Sequence, residues 1–102
     1  MPNNHVKELQ SINKTSSAAI SASPCRVHSL WVVGAATAGS VVLKDGGSGG
    51  TVKLTINTPP ITTSGQTFAG QVNIPGDGLW FQTDCYATIT TAASAEVMFS
   101  PE

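Results

Sequence analysis

The chain has 102 residues, a length that fits one domain with one hydrophobic core. Only 11% of the residues are charged and 40% are hydrophobic, which excludes a coiled coil, a collagen-like repeat and disorder driven by charge. Five basic and six acidic residues give a net charge of −1, so we expect neither nucleic acid nor a membrane as a partner.

The first 24 residues differ in character from the rest of the chain. Their polar background carries isolated apolar residues that are too few to fold alone. We predict an extended N-terminal arm or edge strand over residues 1–24, with a frayed terminus as the alternative, followed by a β-sandwich domain over residues 25–102. The apolar anchors of the arm are expected to lie along a groove of a partner or to add a strand to it, and they are Val6, Leu9, Ile12 and Ile20.

From residue 25 onward, short β-branched runs alternate with turn residues, which predicts six or seven antiparallel strands. The run 26–33 is long and apolar enough for a central strand covered on both faces. In the run 51–56, a period of two places Val52, Leu54 and Ile56 on one face. The remaining predicted strands cover residues 40–44, 68–74, 79–81, 85–90 and 95–99.

Glycine and proline mark the ends of these runs. Glycines in residues 45–50 permit the positive φ of a turn, Pro59 and Pro60 stop a strand, and Pro75 with Gly76 suits a type II turn. The pattern predicts an all-β fold, a single small antiparallel β-sandwich that is jelly-roll-like. Its core is expected to consist mainly of Val27, Leu30, Val32, Val41, Leu43, Leu54, Ile56, Val72, Ile74, Ile89, Val97 and Phe99.

The two cysteines, Cys25 and Cys85, lack the close spacing of metal ligands. Both precede apolar strand-like runs, so we predict buried free thiols rather than a disulfide. No run of 18 apolar residues is present, and the first eight residues do not have the basic-then-apolar order of a signal peptide. The chain is therefore expected to begin in a cytosol.

Residues that could support catalysis have simpler structural interpretations. His5 lies in the polar arm and His28 inside the longest strand, where a packed or hydrogen-bonded histidine is expected. Asp45, Asp77 and Asp84 fall in turns, where a carboxylate commonly bonds nearby backbone. We therefore predict no enzyme activity, no catalytic residue, and no metal or cofactor site.

The glycine-rich loop and four aromatic residues are further candidates for a binding site. The loop 46–50 is followed by a strand, whereas a phosphate-binding P-loop needs a Gly-Lys-Ser/Thr end and a helix. Core packing is expected for Trp31, Trp80, Phe81 and Tyr86. If Trp31 and Trp80 are instead exposed, a carbohydrate-binding β-sandwich remains an alternative.

Three stretches together have a familiar order of elements. Residues 33–47 end in an Asp-Gly turn, residues 50–54 read Gly-Thr-Val-Lys-Leu, and residues 74–81 contain Pro-Gly-Asp-Gly before Leu-Trp-Phe. With the final pair of strands, this order resembles small virion proteins of tailed bacteriophages over roughly residues 25–100. The shared motifs consist of turn residues, so the resemblance transfers no site residue to this chain.

The resemblance implies a non-enzymatic structural protein of the virion, assembled in the host cytoplasm. A capsid decoration or cement subunit that stabilises the head is the first expectation, and an adaptor of the tail, baseplate or head fibre is the alternative. The expected partners are a major capsid protein or another virion protein, together with further copies of this chain. A homotrimer is preferred, since symmetric closure would cover sheet edges that a small monomer leaves open.

Overall fold

The structure is a computed structural model that describes residues 9–61, 66, 68–92 and 94–101. These residues form strands, turns and irregular segments, with no helix among them, which confirms the all-β prediction. None of them forms a helix able to cross a membrane. The strands are β1 (Gln10–Lys14), β2 (Ala18–Ser21), β3 (Cys25–Val33), β4 (Gly39–Asp45), β5 (Thr51–Thr58), β6 (Ala69–Asn73), β7 (Leu79–Phe81), β8 (Cys85–Thr90) and β9 (Ser94–Pro101).

The strands form two antiparallel sheets that pack face to face. Sheet I has the order β1-β9-β3-β6, and β7 pairs with the first residues of β3. Sheet II has the order β2-β8-β4-β5. The predicted β-sandwich is therefore confirmed.

The pairing scheme is that of a jelly roll. The first strand pairs with the last and the second with the next to last, while β3 pairs with β6 and β7, and β4 pairs with β5. These successive pairs alternate between the two sheets. Since β6 and β7 share one position beside β3, the described chain fills the eight positions of a jelly roll with nine strands.

Most predicted core residues lie between the sheets. Seven of the twelve are buried, four more pack against the buried cluster, and Val72 is half-buried on the outermost strand of sheet I. Shorter or more isolated residues complete the core, because strand pairing brings them to the inner face. The buried hydrophobic residues missing from the predicted set are Ile20, Cys25, Phe81, Cys85, Ala87 and Ala95.

Two β-bulges, one in β3 and one in β5, change which side chains face the core from those that were predicted to do so. In β3, Val27 pairs with Phe99 and Ser29 with Met98, so His28 is an extra residue and the alternation changes phase. This strand is covered on one face only, and Trp31 is 47% exposed. In β5, Lys53 is the extra residue.

The bulge in β5 separates residues that were expected to share one face. Leu54 pairs with the buried Leu43, whereas Val52 pairs with Lys44. The prediction for Val52 is wrong, because the bulge turns its side chain to solvent, where it is 54% exposed.

The N-terminal segment forms an edge strand in each sheet. β1 pairs with β9 at one edge of sheet I, and β2 pairs with β8 at one edge of sheet II. Ile20 is only 4% exposed within the core, and Ile12 packs against that core. Both residues therefore stabilise the fold of this chain, because strand pairing places them on its inner face.

The other two predicted anchors have different positions. Leu9 is 54% exposed and precedes β1, so its side chain is accessible to a partner. Val6 lies outside the described residues. A docking role for these two residues stays a prediction.

Candidate binding face

The outer face of sheet I carries one exposed aromatic side chain among polar ones. Along β3 and β9, the core residues Leu30 and Val97 alternate with residues that point away from the core. We call this surface the Trp31 face. It consists of Asn13, Glu96, Trp31 and Gln71 in one row across the four strands, and of Ser11, Met98, the buried Ser29 and Asn73 in the next row.

Trp31 lies near the middle of this face. Its cross-strand partners are Glu96 on β9 and Gln71 on β6, so a carboxylate and an amide flank the indole on two sides. Directly paired residues have Cβ atoms about 4.5–5.5 Å apart, which brings both polar groups within reach of a molecule resting on the ring. Trp31 was expected in the core, and the bulge at His28 is the reason that it is not.

The amides at the β6 edge are held in place by a hydrogen bond. Gln71 donates from Nε2 to Oδ1 of Asn73 over 3.2 Å. This bond uses one donor of Gln71 and one acceptor of Asn73. Oε1 of Gln71 and the amide N–H groups of Asn73 are not used by this bond, and both residues are exposed.

A second aromatic group lies at the other end of the same outer face. The Arg26 guanidinium lies 4.9 Å from the ring centroid of Trp80, its partner on β7, which is cation–π geometry. Trp80 is half-buried and faces away from the core. Of the four aromatic residues expected in the core, Phe81 is buried, and Tyr86 is half-buried beside Lys44 on sheet II.

His28 is a hydrogen-bonded strand histidine, as predicted. Its Nε2 lies 2.9 Å from the Ser100 hydroxyl, and its carbonyl accepts the N–H of Ile74 over 2.9 Å. Gly78 passes so close that a Cβ there would meet the imidazole ring and the carbonyl of Val27. Among the described residues no carboxylate bonds to this ring, so the pair lacks the orienting third group of a catalytic triad.

Two of the turn aspartates form a reciprocal clamp. Asp45 accepts the N–H groups of Gln82, Thr83 and Asp84 at 2.8, 2.9 and 3.4 Å. Asp84 accepts the N–H groups that follow Asp45 in the β4–β5 turn, at 2.9 and 3.0 Å. Burial acts to raise the pKa of Asp45, but the three N–H groups outweigh it and hold that pKa below its ordinary value. Both aspartates bond backbone N–H groups, as predicted, but these groups belong to a distant segment of the chain and not to the turn of the aspartate itself.

The two cysteines meet between the sheets. Cys25 on β3 and Cys85 on β8 are both fully buried and unbridged, as predicted. A hydrogen bond between their thiols lowers the pKa of Cys25 despite burial, and Ser21 adds to this effect. The same bond and burial raise the pKa of Cys85. In the described part of the chain, no three His, Cys, Asp or Glu side chains are grouped so as to hold a metal ion.

Comparison with models of known protein families, with curated proteins and with solved structures gives no match to this chain. The similarity to phage virion proteins therefore stays a prediction.

Proposed function

We propose that this chain is a non-enzymatic structural subunit of a tailed-bacteriophage virion, and that it decorates or cements the capsid. The jelly-roll strand order is the observation that carries this proposal. This architecture is widely used by viral capsid domains, because its two packed sheets give a rigid body whose loops and faces can be adapted to contacts. Lectin domains also use it, so topology alone does not decide the function.

The roles of the polar residues support a subunit that works by contact. The candidate catalytic groups His28, Asp45 and Asp84 all serve the fold, through the bulge and through the clamp. The β4–β5 turn, which is one of the turns that carry the resemblance, is bonded to Asp84 in this clamp. A rigid, weakly charged body suits a component that is repeated many times on a particle.

We further propose that the chain acts as a homotrimer. Among the described strands, the edges are β1 on one side of sheet I and β6 with β7 on the other, and β2 and β5 in sheet II. β1, β2 and β6 are short, and β5 carries the Lys53 bulge and is followed by prolines, features that discourage open-ended strand pairing. Closed symmetry through side-chain contacts is the association that these edges permit. Light scattering should give three times the chain mass of 10.5 kDa, whereas a monomer at high concentration would refute the trimer.

The virion role is tested by mass spectrometry of purified particles from the host strain that encodes the chain. A decoration subunit should be present in a copy number comparable to that of the major capsid protein, and an antibody to it should label heads in electron microscopy. A few copies per particle with label on the tail would instead support the adaptor alternative. Absence from purified particles would refute both.

A further inference from the structure

We propose that the Trp31 face is a carbohydrate-binding site that takes a neutral oligosaccharide. The site goes beyond the structural role proposed above and does not depend on it. Trp31 is 47% exposed, and an exposed large aromatic side chain indicates a binding surface more strongly than an exposed small apolar one does.

The indole of Trp31 supplies the stacking surface. The face of an aromatic ring carries negative partial charge, and the C–H groups on one side of a pyranose ring carry positive partial charge. The two flat surfaces therefore attract each other and also remove apolar area from water. Met98, exposed in the next row, extends the apolar part of the surface.

The polar side chains around Trp31 match the hydroxyl groups at the rim of a sugar. A hydroxyl both donates and accepts, and adjacent hydroxyls are well matched by planar amide and carboxylate groups. Glu96 and Gln71 provide such groups on either side of the indole, and the bonded pair of Gln71 and Asn73 is already oriented. A protein–protein interface usually has a larger apolar centre than the one indole and one thioether present here, so this face fits a sugar better than a protein partner.

Charge and size select the kind of sugar. Glu96 is the one charged residue of the Trp31 face, so an acidic sugar would be repelled at the centre of the site. Four strands spaced by about 4.8 Å make the row roughly 15 Å wide, which is wider than a single sugar ring. The ligand is therefore a neutral oligosaccharide lying across the strands.

The test uses the purified full-length chain and native gels that contain a soluble polysaccharide. Three neutral polymers, a mixed-linkage β-glucan, a galactomannan and dextran, serve as probes, with alginate as the acidic comparison. We expect at least one neutral polymer to retard the protein and alginate to leave its mobility unchanged. Saturating amounts of the retarding polymer should also protect tryptophan fluorescence from acrylamide.

The site is assigned by three variants of similar stability. Trp31→Ala should weaken binding at least tenfold and Gln71→Ala severalfold, since the first removes the stacking surface and the second an oriented amide. Val52→Ala, an exposed apolar residue on the other sheet, should bind as the unaltered chain does. Circular dichroism and melting curves check that each variant is folded.

Two results would overturn the proposal. One is that none of the neutral polymers retards the unaltered chain, and the other is that Trp31→Ala binds the retarding polymer normally. If Trp31→Ala reduces only the trimer mass or the amount on particles, the face is a protein contact and the carbohydrate site is refuted. Because binding is measured on the isolated protein, absence of the chain from virions would leave this result unaffected.

Discussion

At the scale of single residues, His28 and Lys53 decide which side chains of β3 and β5 reach solvent. Each is one extra residue in its ladder, and each inverts the facing of the residues beyond it. Without the first bulge, the alternation begun by Cys25 and Val27 would bury Trp31. The candidate site therefore depends on one inserted residue that makes no direct contact with a ligand in our proposal.

Gly50 is the residue in the β4–β5 turn that least tolerates a side chain. A Cβ on Gly50 would overlap the carbonyl of Asp45, while a Cβ on Gly49 would meet nothing within 4 Å. We expect Gly50→Ala to lower the free energy of unfolding by about 2 kcal/mol or more, since the clash is with backbone. Gly49→Ala should be neutral or slightly stabilising. Chemical denaturation of both variants tests this, and equal stabilities would contradict it.

Asp45 should make stability depend on acid pH. Its pKa is lower in the folded chain than its ordinary value of 3.8, so its stabilising effect is complete above that value. The effect is lost as the pH falls through the lower, folded-state pKa. Asp45→Asn should therefore cost about 1 kcal/mol at pH 7, a cost that shrinks below about pH 4.

The measurement for Asp45 is urea denaturation of Asp45→Asn and of the unaltered chain from pH 7 to pH 3. Asp77→Asn, in the exposed turn after β6, is the matched control, because none of the described side-chain hydrogen bonds involves Asp77. A difference in stability that stays constant across the whole range would show that the charge of Asp45 does not contribute.

At the scale of elements, β1 and β2 show how an apparently separate arm becomes part of the sandwich. Each closes one edge of a sheet, and β2 contributes Ile20 to the core. Deleting residues 1–20 would remove β1 and most of β2. Such a deletion would therefore impair folding, and a loss of attachment to a partner would follow from the loss of folding.

Ile20 and Leu9 provide a matched pair of substitutions within this segment. Ile20→Ala should lower the free energy of unfolding by about 2–4 kcal/mol, because it leaves a cavity between the sheets. Leu9→Ala should change it by less than about 0.5 kcal/mol, since that side chain is exposed. Thermal unfolding distinguishes the two, with a drop of more than about 8 °C expected for Ile20→Ala alone. Similar melting temperatures would mean that β2 does not pack as described.

At the scale of the whole molecule, the sheets are connected by long-range contacts between turns and between facing side chains. The aspartate clamp joins the β4–β5 turn to the segment between β7 and β8, and the thiols of Cys25 and Cys85 meet across the core. Such contacts close large loops of chain, so they are lost together when the sandwich unfolds.

The two thiols should report on the opening of the sandwich. In the native protein neither should react readily with a thiol reagent, because both are fully buried. After denaturation without a reductant, two free thiols per chain should be titrated, and Cys25→Ala should retain one. Titration of none in the denatured chain would mean that the two cysteines are joined by a disulfide.

Local patterns in the sequence were sufficient to predict the class of fold and most of its elements. β7 and β8 coincide with the predicted runs, and seven strands follow residue 24 within the described chain, because β-branched runs and turn residues act over a few positions. The outer face of sheet I was also implicit in the sequence. In β9, Val97 lies between Glu96 and Met98, and in β6, Val72 lies between Gln71 and Asn73. The burial of both cysteines also followed from their neighbours.

Tertiary structure alone decided which strands pair and what the outer face presents. The clamp joins residues 37 to 39 apart and the His28–Ser100 bond joins residues 72 apart, separations over which local sequence has no influence. The bulges at His28 and Lys53 arise from the fit between paired strands, so the exposure of Trp31 and Val52 could not be read from either strand alone. Ile20 looked like a docking anchor because its core partners come from distant strands, and only the folded sandwich brings them to it.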